Sequence, residues 1–292
     1  MLALVGTADG LDYLGDGRHD FDGHEVTAVA IDGSIHWAIL DGRTVCCSED
    51  GGDWREVVAI DSGRANCLGP SPAGLLVGAS GARLFQLTGD RLVPVDSFAG
   101  APGRARWYTP SGGPPDVRSL AVEDGRVFVN IHVGGIVRSD GASWQSTIDI
   151  NTDIHQVIAS DGWLFAACAR GLAWSADGGD NWQVSSDGLQ HRYCRAVALA
   201  VETILISASD GPAGPRGAIY RTPIANPSRF ERCRDGLPEW FGRNIDTGCL
   251  DAKDSRALFG TEDGDLFFSD DEGSHWQQVG GGLPAVRAIA FA

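Results

Sequence analysis

Ser175-Ala176-Asp177-Gly178-Gly179-Asp180-Asn181-Trp182 decides the fold. A second copy is Ser269-Asp270-Asp271-Glu272-Gly273-Ser274-His275-Trp276. A third, one residue shorter, is Ser48-Glu49-Asp50-Gly51-Gly52-Asp53-Trp54, and a worn fourth is Ser139-Asp140-Gly141-Ala142-Ser143-Trp144. The shared pattern is Ser-x-Asp-x-Gly-x-x-Trp. Its parts suit a β-turn: Ser and Asp side chains bond to nearby backbone amides, and Gly accepts the positive φ the turn requires. Trp then opens the outer strand and packs beside the turn. Such turns hold hairpins together. The acidic residues miss the spacing of an EF-hand calcium loop.

Each copy belongs to a longer unit. Trp182 is followed seven residues on by Leu189, Trp276 by Leu283, and Phe230 by Leu237. Phe230 thus stands at a Trp position whose turn has lost the rest of the pattern. One aromatic turn in every roughly 40–50 residues is the sequence signature of propeller blades.

The chain has 292 residues, enough for the single propeller domain expected over residues 1–292. Its 40 Gly and 13 Pro fit many short strands and tight turns. A net charge of −16 speaks against nucleic acid and anionic membrane surfaces as partners. The seven Cys form no CxxC pair, so they read as small buried side chains and not as metal ligands. Met1 to Val5 is too short and uncharged for a signal peptide, and no apolar run approaches a membrane span, so the expected location is cytoplasmic.

Seven inner-strand segments align: Val26–Val29, Ala65–Leu68, Val117–Leu120, Ile154–Val157, Cys194–Val197, Ile245–Gly248 and Val286–Ile289. Each is short, partly β-branched and bounded by polar turns. The chain ends supply only parts of a blade. Ala285 to Phe291 reads as an inner strand, and Leu2 to Thr7 reads as a second strand with nothing before it. Pairing them closes a seven-bladed, all-β propeller and removes two exposed edges.

The second position of the seven segments is polar throughout: Thr27, Asn66, Arg118, His155, Arg195, Asp246 and Arg287. If each starts its strand near the axis, these residues ring a channel mouth. Three arginines there need Asp246 or a bound anion as partner, and Arg suits bidentate recognition of carboxylate or phosphate. A wet channel lined by mutually satisfied polar groups is the plainer alternative. Two stretches exceed the repeat, Gly100 to Asp116 and Asp210 to Gly217, the latter joined by Pro238 to Arg243. They are expected on the face of the channel mouth. They and the strand ends would add Trp107, Tyr108, Tyr193 and Trp240 beside Arg, which suits a sugar, a small anion or a peptide. Packing of these rings onto the rim is the competing expectation. His132 and His155 lie on neighbouring blades without an evident third ligand, so no metal is expected.

The turns resemble the Asp-box, or BNR, repeat of the sialidase superfamily, and the whole chain is similar to BNR-type propellers. These include sialidases, other glycoside hydrolases and non-catalytic members such as photosystem II assembly factors. The resemblance implies the fold more strongly than any activity. Sialidases carry an Arg-Ile-Pro signature and a Tyr-Glu pair; this chain lacks the first, and Tyr193 has no evident Glu partner. Seven blades also departs from the usual six. The expected function is therefore a non-catalytic, monomeric binding propeller. Its ligand would be an anionic small molecule, glycan or protein partner, held without a cofactor. The alternative is a glycoside hydrolase or lyase acting at the same face, for which Asp116, Asp153, Glu239 and Asp246 offer the carboxylates.

Overall fold

The computed structural model describes residues 3–110, 112–141 and 143–292. Met1, Leu2, Ser111 and Ala142 lie outside the described residues. They include the first position of the expected Leu2 to Thr7 strand, one position of the Gly100 to Asp116 insertion and one of the worn box at Ser139. The rest forms seven four-stranded sheets, and the chain is a seven-bladed β-propeller. Blade one joins the two ends of the chain: Val286–Phe291, Ala3–Thr7, Gly10–Leu14 and His19–Asp20 lie side by side. The inner strands of blades two to seven are Val26–Asp32, Ala65–Ser71, Val117–Glu123, Ile154–Ser160, Tyr193–Leu199 and Leu250–Lys253.

Closure works as the chain ends demand. Ala3 pairs with Phe291, Leu4 with Ala290 and Val5 with Ile289, antiparallel, and the amide of Ala8 bonds to the carbonyl of Ala285 at 2.9 Å. All five residues of Ala3–Thr7 are buried.

The chain packs as two compact units, one of residues 3–24, 165–174 and 183–292, the other of residues 25–164 and 175–182. The first has a core built from blade one and the last two blades. Phe259 stacks on Phe267 at 5.1 Å, and Phe241 and Trp276 meet Phe259 edge-on at 5.4 and 4.9 Å. The second unit gathers Phe98, Trp107, Trp144, Val117, Val129 and Ile131 in one cluster, and Ile39, Val45, Val77 and Phe85 in another.

The repeated turns owe their shape to two side chains each. Ser175 Oγ donates to Asp177 at 2.7 Å and accepts from the Gly179 amide at 2.9 Å. Asp177 accepts from the amide and side chain of Asn181 at 2.9 and 2.8 Å. Ser269 and Asp271 repeat this with Gly273 and His275, each amide bond at 2.9 Å. The indole of Trp276 donates to Gly273 O and is 1% exposed. Trp182 makes the matching bond to Gly179 O at 3.1 Å, but its ring is only half-buried.

Five of the inner strands show the same irregularity. Val26 and Ala28 oppose the adjacent residues Leu40 and Ile39, which leaves Thr27 as an extra residue. Asn66, Arg118 and Arg287 are extra in the same way, and Arg195 with Ala196 together oppose Ser207. These are β-bulges, which bend a strand and re-aim a side chain. Five of the seven polar second positions are therefore bulge residues. The segment Ile245–Gly248 is a correction, because it is not strand. Gly248 has φ 77°, the Cys249 amide bonds back to Asp246 O at 3.0 Å, and the inner strand starts only at Leu250. A turn replaces the first four residues because Asp246 caps it, its Oδ1 accepting the Thr247 amide at 2.8 Å.

Candidate functional site

In the first unit, the bulges bring Arg195 and Arg287 to one cavity of about 270 Å³. The turn before Leu250 adds Asp246 and Cys249; the Asp210 to Gly217 insertion and the Pro238 to Arg243 stretch joined to it reach the same place, while Gly100 to Asp116 belongs to the other unit. Gly217 and Phe241 exchange backbone hydrogen bonds at 3.1 and 2.9 Å, which pins the insertion to that stretch. An Asp210–Arg216 ion pair at 2.7 Å braces the insertion. Pro212, Ala213, Arg243 and Asn244 thereby become walls of the cavity, with Gly260, Glu262 and Val286.

The cavity is strongly polar. Arg195 Nη1 donates to Asp246 Oδ2 at 2.7 Å, and Arg243 Nε to Glu262 Oε2 at 3.0 Å. The Arg195 side chain is 20% exposed and that of Asp246 57%, so the cation is fixed and the anion faces solvent. Asn244 is oriented by the bond from its Nδ2 to Tyr193 O at 2.8 Å. Burial pushes the Cys249 thiol far above the ordinary thiol range, a shift that Asp246 reinforces and that neighbouring Arg287 and Arg195 do not offset. Cys249 is therefore a packed thiol that donates to Val286 O, not a nucleophile.

Arg118 and His155 occupy the second unit, in a cluster with His132 and Asp153. His155 is completely buried, its Nε2 3.7 Å from Asp153 Oδ1. Burial and the nearby Arg118 charge lower the His132 pKa. Burial alone would raise Asp153; the adjacent His155 ring and the charges of Arg118 and His132 outweigh it and hold the carboxyl low. His155 is thus enclosed beside its carboxylate, which corrects its expected place as a ligand contact. Among the described residues, no group of three or more His, Cys, Asp and Glu side chains is placed to hold a metal ion.

The other expected contacts divide. Asn66 is committed to structure: its Nδ2 donates to Val117 O at 3.1 Å. Trp107 is a correction. It is 7% exposed and packs against Phe98 at 5.9 Å between rings, with Gly134 leaving the space its indole fills. An apolar ring at the foot of an insertion lost more by facing water than by joining the core. Arg104 of the same insertion is used up on the carbonyls of Ala82 and Gly81. Tyr108 is 48% exposed, its backbone paired with Val133. Trp240 is half-buried, with Arg232 3.8 Å above its ring and His191 at 5.4 Å. The guanidinium occupies the face a sugar would need. Tyr193 stands beside the cavity, its ring 6.0 Å from the Arg195 guanidinium carbon.

Sequence reading missed Asn244 and Glu262. Glu262 lies in the turn Thr261–Gly264, at the blade end where the inner strands start, and that position was its only signal.

No protein-family model matches the chain, and no curated protein matches it. Solved structures do. The chain is similar to the GH74 enzyme of Niastella koreensis (TM-score 0.65, 14% identity, 95% of this chain and 47% of that one). It is also similar to the WD40 β-propeller domain of Doa1 (TM-score 0.63, 15% identity, 94% and 84%). A third likeness is to YCF48 bound to D1 peptide (TM-score 0.60, 14% identity, 95% and 84%). This chain spans about half the length of the GH74 enzyme. At such identities the likeness is one of fold. No helix among the described residues is long and apolar enough to cross a membrane.

Proposed function

We propose that the chain is a non-catalytic binding propeller that takes an anionic group in the cavity of Arg195, Arg243 and Arg287. The observation that carries the reading is that three arginines line one polar cavity in a protein of net charge −16. Clustered guanidinium groups attract an anion and can hold a carboxylate or phosphate bidentately. YCF48, of similar fold, is bound to a peptide in its structure, which supports a binding role for this architecture. The Ser-x-Asp-x-Gly-x-x-Trp turns, with their Ser and Asp bonds, support assignment to the Asp-box repeat. We read residues 1–292 as one domain, since the boundary between the compact units falls inside the strand Trp163–Cys168. Six of the seven cysteines are buried small side chains, which fits the cytoplasm.

The second reading, a glycoside hydrolase or lyase, is favoured by the GH74 likeness and by two carboxylates, Asp246 and Glu262, in the same cavity. It needs one of them as a proton donor. Both instead accept from guanidinium groups, at 2.7 and 3.0 Å, which favours binding over catalysis. Calorimetry with acetate, phosphate and sulfate tests the proposal. Arg287→Ala should weaken the anion that binds by about 1.5–3 kcal/mol, the scale of a charged hydrogen bond. Binding unchanged in a folded Arg287→Ala protein would move the site elsewhere.

A further inference from the structure

The cavity offers charges of both signs. Arg195, Arg243 and Arg287 against Asp246 and Glu262 leave three minus two, one net positive charge, in the lining. A polyanion brings more negative charge than this can neutralise and must sit beside two carboxylates, a like-charge contact that selects against it. A simple monoanion competes with Asp246 for the Arg195 guanidinium and makes no use of the two carboxylates. A ligand that carries both charges escapes this. Its anion takes Arg195, and its cation takes the freed Asp246.

We infer that the cavity binds a small zwitterion of amino-acid size, its carboxylate between Arg195 and Arg287 and its ammonium on Asp246, with Glu262 beside it. The inference rests on the reading of this cavity as an anion site. Asp246 is built for the exchange. Its Oδ1 is anchored on the Thr247 amide at 2.8 Å, and only Oδ2 is spent on Arg195. The carboxylate can change cation without leaving its turn. Glu262 is 45% exposed and its partner Arg243 59%, a loose pair that re-forms at little cost. The volume of about 270 Å³ lies below the range of roughly 300–1,000 Å³ that holds drug-sized ligands, which suits a single small metabolite.

The test is calorimetry on the whole chain with each standard L-amino acid. Each one that binds is compared with its deamino acid, which lacks the ammonium, and with its amide, which lacks the carboxylate. At least one amino acid is expected to bind, and both derivatives to be weaker by about tenfold or more, one lost charge-assisted hydrogen bond each. Asp246→Ala should lose the preference for the amino acid over its deamino form. Should that variant fail to fold, Glu262→Gln on its exposed turn is expected to narrow the same preference. A deamino acid as tight as its parent, or phosphate or sulfate tighter than any amino acid, overturns the zwitterion and leaves the anion site standing. No binding by amino acids, monocarboxylates, phosphate or sulfate overturns both.

Discussion

Asp246 joins Arg195 at 2.7 Å while its other oxygen holds the Thr247 amide at 2.8 Å. One carboxylate thus shapes the turn that opens the seventh blade and sets the charge of the cavity. Asp246→Asn can keep the first task and gives up the second. The lining then carries two net positive charges in place of one. Phosphate and sulfate should bind more tightly, by about tenfold, a change near 1.4 kcal/mol. Stability should fall by no more than about 1 kcal/mol, since the pair is partly exposed. Calorimetry and urea unfolding read the two effects; weaker phosphate binding would contradict the charge argument.

Trp276 and Trp182 occupy equivalent positions with unequal burial. Trp276→Ala removes a fully buried ring in contact with Phe259 and should destabilise the protein by about 3–5 kcal/mol. Trp182→Ala should lose clearly less, its ring being half-buried. Denaturant midpoints compare them, and equal losses would mean that the turn, not the ring, carries the stability.

Asp251 accepts the Phe291 amide at 2.9 Å, and burial raises its pKa from 3.8. A raised carboxyl contributes stability that is complete below the unfolded pKa and is lost as pH rises through the folded one. Asp251→Asn removes this loss while keeping an acceptor. The melting temperature of the variant relative to the parent should climb as pH rises above the unfolded carboxyl range, through the raised pKa of the folded state. A flat difference would show that the carboxyl titrates alike in both states.

Asp177 shows the opposite sign. Bonds from the Asn181 amide, the Asn181 side chain and Ser175 lower its pKa from 3.8 to about 2. Its contribution is present above the unfolded pKa and fades as pH falls toward about 2. Asp177→Ala should lower the melting temperature at neutral pH and converge with the parent in acid.

Val286–Phe291 supplies the inner strand of blade one. Deleting 285–292 leaves Ala3–Thr7 as a bare edge. Aggregation or a large drop in melting temperature is expected, by light scattering and calorimetry. A monomer of unchanged melting temperature would refute closure by this strand.

The blades were legible because they repeat. A Ser-x-Asp-x-Gly-x-x-Trp turn needs only its own side chains and a few neighbouring amides, so Ser175 and Asp177 declare it locally. The polar second positions were legible for the same reason, one per inner strand, although nothing in their spacing announced that Thr27, Asn66, Arg118 and Arg287 are bulge residues. The false start at Ile245–Gly248 shows the limit. Its apolar opening matched a strand, but Asp246 capped a turn there.

By itself the sequence determined an all-β propeller of seven blades, the joining of the chain ends in one of them, and the candidacy of Arg195, Asp246 and Arg287. Only the tertiary structure decided which polar side chains meet. It put Glu262 and Asn244 beside those three, enclosed His155, and drew Trp107 into the core. The reason is range. Turns and strand periodicity arise from interactions a few residues apart, whereas the cavity is built from residues that lie up to about ninety positions apart, from Arg195 to Arg287. Their approach depends on bulges, on the Asp210 to Gly217 insertion pinned to the Pro238 to Arg243 stretch at Gly217 and Phe241, and on packing that no short stretch encodes.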